Sequence, residues 1–109
     1  MKTNDPDLEA AIAESVMATA LMGRLLRFNS ISASIMIGYV LSYADPRRPG
    51  IFCLYRAYSA EIARRNEVRD QPELPILSLY MFRSCIERLD PEFVFAARYG
   101  RQAVSRRTA

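Results

Sequence analysis

Hydrophobic positions recur at helical spacing along most of the chain, and clusters of proline, glycine and acidic residues break that rhythm at intervals. Leu8, Ile12 and Val16, continued by Leu21, Leu25 and Phe28, predict a first helix of about five turns. Asn4 or Asp5 is placed to cap it. Pro6, Asp7 and Glu9 suit its first turn, where a missing N–H costs nothing and negative charge complements the helix dipole. Arg24 and Arg27 favour its C-terminal end.

The stretch from Ile31 to Tyr43 supports two periods. Ile31, Ala33, Ile35, Ile37, Tyr39, Leu41 and Tyr43 alternate as a strand would, yet Ser30, Ser34, Gly38 and Ser42 fall at four-residue steps. A helix capped by Ser30 is the expectation, since those small residues then form a narrow groove into which a neighbouring helix can pack closely. Asp45-Pro46-Arg47-Arg48-Pro49-Gly50 ends it and displays Arg47 and Arg48 at a loop tip.

Ile51, Leu54, Tyr55, Tyr58 and Ile62 form the cleanest amphipathic stripe, with Arg56, Arg64 and Arg69 outside it. Gln71-Pro72-Glu73-Leu74-Pro75 breaks the chain again. A fourth helix is expected from Ile76 to about Leu89, apolar over much of its girth, with Arg83 and Glu87 paired on the wet side. Asp90-Pro91-Glu92 is a second cap, proline and acid signal, launching a fifth helix through Phe93, Val94, Ala97 and Tyr99 that Gly100 ends. These elements predict an all-α fold, a compact single-domain bundle of about four to five helices spanning 1–109, with 1–4 and 101–109 frayed.

Composition agrees with a folded domain, being 50% apolar and 25% charged. The longest uncharged stretch, Phe28 to Ala44, holds four serines, Asn29 and Gly38 and is too short and polar for a bilayer span, so no membrane association is expected. The net charge of +3 rests on fourteen arginines and a single lysine, Lys2, a balance suited to interfaces with protein or phosphate. Cys53 and Cys85 lack the spacing of a disulfide framework or a metal knuckle; they are expected to be reduced and buried in a cytoplasmic protein.

The same composition removes most chemistry. Histidine is absent, and with it the commonest general base, metal ligand and nucleophile activator. Four glycines, at 23, 38, 50 and 100, build no phosphate cradle. Glu87, Asp90 and Glu92 read as capping residues rather than an acid and base pair. No enzyme activity, cofactor or metal is expected. Arg64, Arg65 and Arg69 along one helix admit a small basic DNA-binding protein as the alternative. Nearby Glu61, Glu67, Asp70 and Glu73 and the proline break after helix three make direct nucleic-acid binding a poor fit.

What remains is surplus apolar surface. The second helix is apolar nearly all round, the fourth over much of its girth, and Phe52 lies off the stripe of the third. Ile35, Met36, Tyr39, Tyr43, Phe52 and Tyr55 are the expected protein-interface residues, being of types enriched in such surfaces.

Ile31-Ser32-Ala33-Ser34-Ile35-Met36-Ile37-Gly38-Tyr39-Val40-Leu41-Ser42-Tyr43 and the Asp45 to Gly50 turn, with the length and character of the chain from about Asp5 onward, resemble the bacterial quorum-sensing antiactivators. The resemblance implies a small helical homodimer. It also implies a partner, the ligand-binding domain of a LuxR-type transcription regulator, held from dimerising and from engaging its promoters. It carries no motif that assigns roles to individual residues.

Overall fold

A computed structural model describes residues 6–68 and 72–100. Five helices follow in order: α1 Pro6–Arg24, α2 Ser30–Leu41, α3 Ile51–Val68, α4 Leu79–Glu87 and α5 Pro91–Tyr99. The expected cap at Asn4 or Asp5, the position of Arg69 and the frayed ends 1–4 and 101–109 lie outside the described residues.

The choice between strand and helix at Ile31 to Tyr43 resolves as helix, because its buried residues, Ser32, Ala33, Met36, Ile37 and Val40, fall on one helical face. Asn29, not Ser30, caps it: the Asn29 carboxamide oxygen accepts from the backbone N–H groups of both Ile31 and Ser32 at 3.0 Å. α2 is the central element and packs on α1, α3 and α4. Around it lie Leu21 from the end of α1 and Leu25 just beyond it, Leu54, Tyr58 and Ile62 from α3, and Phe82, Cys85 and Ile86 from α4. The result is one all-α domain with one core.

Helix ends moved where turn chemistry overrode apolar spacing. α1 stops at Arg24 rather than running to Phe28: Leu25 N–H is shared between the Leu21 and Met22 carbonyls as the last turn tightens, and Phe28 N–H bonds to the Leu25 carbonyl in a tight turn before the Asn29 cap. α4 begins at Leu79, later than the expected Ile76, with the Ser78 hydroxyl accepting from Met81 N–H at 3.1 Å. Arg83 and Glu87 share one face of α4, where they line a concavity, but form no ion pair.

The chain from 73 to 78 has no regular structure, yet it carries the buried Leu74 and Leu77. Its backbone must find partners elsewhere. Asn66 supplies both for Leu74, donating to its carbonyl at 3.0 Å and accepting from its N–H at 2.7 Å. The buried Ser32 hydroxyl donates to the Pro75 carbonyl at 2.7 Å. Tyr58 accepts from Leu77 N–H at 2.9 Å, and Tyr55 donates to the Leu77 carbonyl at 2.8 Å. The prolines themselves bring no donor to satisfy. α2 and α3 thus act as a polar template for an irregular strap, and the aromatic cluster of Tyr39, Tyr55, Tyr58 and Phe82 forms beside it.

Candidate functional site

α1 carries two apolar faces. At about 100° per residue, the five-residue step from Val16 to Leu21 turns the stripe by about 140° around the axis. Met17, Ala18, Leu21 and Leu25 consequently meet the core, while Leu8, Ile12 and Val16 point away from it and remain 55%, 55% and 63% exposed. The helical spacing of these residues predicted the helix but not which of them are buried; Leu8, Ile12 and Val16 face solvent. Glu9 and Glu14, also exposed, lie on the same stretch of helix.

A second surface lies on α2. The predicted groove of small residues exists but is not filled by any helix among the described residues: Ser30, Ser34, Gly38 and Ser42 are all exposed, away from the buried face. Ser34, Ile35, Gly38, Tyr39 and Ser42, with Glu61 and Arg65 of α3, line a shallow concavity of about 300 Å³. Its polar wall is a relay. The Tyr39 hydroxyl donates to Glu61 at 2.6 Å, and Arg65 reaches the other oxygen of the same carboxylate at 2.6 and 2.9 Å. Donation by Tyr39, then by Arg65, holds the Glu61 carboxyl below its usual range, and the bond to Glu61 with partial burial raises the Tyr39 phenol.

The expected interface residues separate in space. Met36 is fully buried and belongs to the core, because it shares the inward face of α2 with Ala33, Ile37 and Val40. Ile35, Tyr39, Tyr43 and Tyr55 are half-buried against that core, and Tyr55 is further committed by its bond to Leu77. Phe52 is 66% exposed, lying off the inward stripe of α3. Leu8, Ile12, Val16 and Glu61 were not in the expected set. The five-residue step in the apolar pattern of α1 was the available signal for the first three; for Glu61, the i,i+4 spacing to Arg65 was a signal, whereas Tyr39 lies 22 residues away on another helix.

Other expectations need correction. Cys85 is buried, which raises its thiol pKa, but Cys53 is exposed because it sits beside Phe52 on the outer side of α3. Arg47 projects at the loop tip and pairs with Asp45, whereas Arg48 is turned back onto the Tyr99 ring. Of the arginines singled out for DNA, Arg65 is held by Glu61. As the proline break predicts, 73–78 are irregular ahead of α4, unlike the short turn of a helix-turn-helix. Among the described residues no cluster of potential ligands could hold a metal ion, and no helix is long and apolar enough to cross a membrane.

No protein-family model matches the chain, and no curated protein or solved structure matches it either.

Proposed function

We propose that the protein is a regulator acting by occupancy rather than by chemistry. It binds the ligand-binding domain of a LuxR-type quorum-sensing transcription factor and blocks its dimerisation and DNA binding, in the manner of antiactivators of the QslA type. The partner class comes from the sequence resemblance. The observation that supports a protein-binding role is the outward stripe Leu8, Ile12 and Val16 on α1, more than half exposed and rotated away from the core formed by the described residues. Anchors at i, i+4 and i+8 on an amphipathic helix are the pattern by which helices enter apolar grooves of other proteins. Phe52 and the outer edges of Ile35, Tyr39 and Tyr43 offer further contact area. A cytoplasmic location and a homodimeric state belong to the same proposal.

The test is mixing the purified chain with the ligand-bound regulator domain and reading mass by light scattering after size exclusion, with Ile12→Glu as the contrast. A complex that forms with the native chain, lowers the mass of the regulator dimer and fails with Ile12→Glu supports the proposal. Absence of a complex, with salt-sensitive binding to duplex DNA that Arg64→Ala weakens, would replace it by the nucleic-acid reading.

A further inference from the structure

α2 is buried on one face and open on the other, and none of its residues is charged. The open face therefore offers water no charge of its own. Ile31 is 42% exposed there, and Ile35 and Tyr39 line the shallow concavity together with Gly38. Gly38 is a residue the fold of the single chain does not explain. It stands mid-helix, where glycine weakens a helix relative to alanine, and its φ is not positive. Among the described residues, a Cβ added at Gly38 would meet nothing within 4 Å. A side chain would fit the isolated chain and strengthen α2, so its absence leaves room for a close approach from outside.

The occupant is legible in α1. Leu8, Ile12 and Val16 project at the same four-residue step at which Ser34, Gly38 and Ser42 recede, and rows at that step on two helices interdigitate as ridge and groove. The signs of charge match as well. Glu9 and Glu14 accompany the stripe, while Arg65 stands at the rim of the concavity. Arg64 beside it is exposed, in no ion pair among the described residues, and close enough to bear on the ionisation of Tyr39 and Glu61. The stripe cannot reach the groove of its own chain, because α1 packs on the buried side of α2.

We propose that the outer stripe of α1 from one copy seats in the α2 groove of a second copy, and that two copies do this reciprocally. One three-residue stripe is a small contact against the roughly 1,200 Å² of total surface that stable pairs bury. Reciprocal exchange makes two such contacts and closes the pair, where a one-way contact would run on as an open chain. The exchange gives the homodimer proposed above its surfaces; it rests on that state and not on the identity of the regulator. Pairing covers the α1 stripe, so self-association and regulator capture exclude each other at one surface.

Light scattering after size exclusion tests it on the full chain, with Ile12→Glu and Gly38→Gln as variants. The native chain is expected to run as a dimer at about 100 µM, and each variant to associate at least about tenfold more weakly. At a dilution where the native chain is itself monomeric, Ile12→Glu keeps the native unfolding midpoint and Gly38→Gln keeps or raises it. A second measurement stands whether or not either variant folds. A nitroxide on Ala10→Cys, on the side of α1 opposite the stripe and in a Cys53→Ser chain that leaves only the buried Cys85 as another thiol, is mixed with isotope-labelled native chain. It is expected to broaden the Ser34 and Gly38 amides of the labelled copy. A native chain that is monomeric at that concentration overturns the exchange and the homodimeric state together, while regulator capture keeps its own test. A dimer that survives folded Ile12→Glu or Gly38→Gln, or in which those amides stay sharp, overturns the exchange alone.

Discussion

The phenol of Tyr39 on α2 donates to the carboxylate of Glu61 on α3 across 2.6 Å, and both groups are half-buried at the rim of the outward groove. This bond needs a protonated phenol and an ionised carboxylate, so it sets a pH window. Glu61 titrates below its unfolded value, so its contribution is complete above the unfolded carboxyl pKa of about 4.3 and is lost as pH falls through the lower folded value. Tyr39 titrates above its unfolded value, so its contribution is present below about pH 10 and is lost as pH rises toward the higher folded value. Tyr39→Phe should lower stability at pH 7 by about 0.5–1 kcal/mol, given the partial exposure of both groups. The difference between native and variant urea curves should shrink at both extremes of pH; a pH-independent difference would mean the ring, not the bond, is what the substitution changes.

Leu77 N–H has the Tyr58 hydroxyl as its acceptor, and both are buried. Tyr58→Phe keeps the ring and strands that donor, at an expected cost of about 1–3 kcal/mol in chemical denaturation. Asn66→Ala, which strands the N–H and carbonyl of Leu74, should cost a similar amount. Values near zero for both would show that the strap 73–78 is not held by these side chains.

Met36 and Phe52 were alike as sequence candidates and are opposites in space. Met36→Ala is expected to cost about 2–5 kcal/mol, since it empties a fully enclosed position. Phe52→Ala should stay within about 0.5 kcal/mol, as expected for an exposed position. Thermal unfolding of the pair in parallel makes the comparison direct.

Ile12→Glu should leave helicity and unfolding midpoint unchanged, because its site is 55% exposed on the side of α1 that faces away from the core. The same change should abolish partner capture. Loss of structure in this variant would show that the outer stripe of α1 is a folding surface instead.

Much of the helical plan was legible from local chemistry alone. The Asp90 cap with Pro91 and Gly100 bounds α5 as the spacing predicts, whereas the second helix ends at Leu41, in tight turns through Ala44 that precede the Asp45 to Gly50 segment expected to stop it. The absence of histidine was equally readable, and it lowered the expectation of catalysis before any contact was known. These features depend on residues within a turn or two of one another, which a sequence displays directly.

Which face of each helix becomes interior was decided only by tertiary structure. Ser34, Gly38 and Ser42 form the expected groove, but whether a helix fills it depends on where α1, α3 and α4 dock; they dock on the buried face, and α3 reaches only the groove's edge, through Glu61 and Arg65. Leu8 and Leu21 have the same hydrophobicity and opposite fates, because their positions around the α1 axis differ and only one side of that helix meets α2. The bonds from Ser32, Tyr55 and Tyr58 to the strap, and the grip of Arg98 on Tyr43 and Pro49, join residues that spacing does not relate. Periodicity determines that a face exists; burial is a property of two surfaces together, and the second surface comes from elsewhere in the chain.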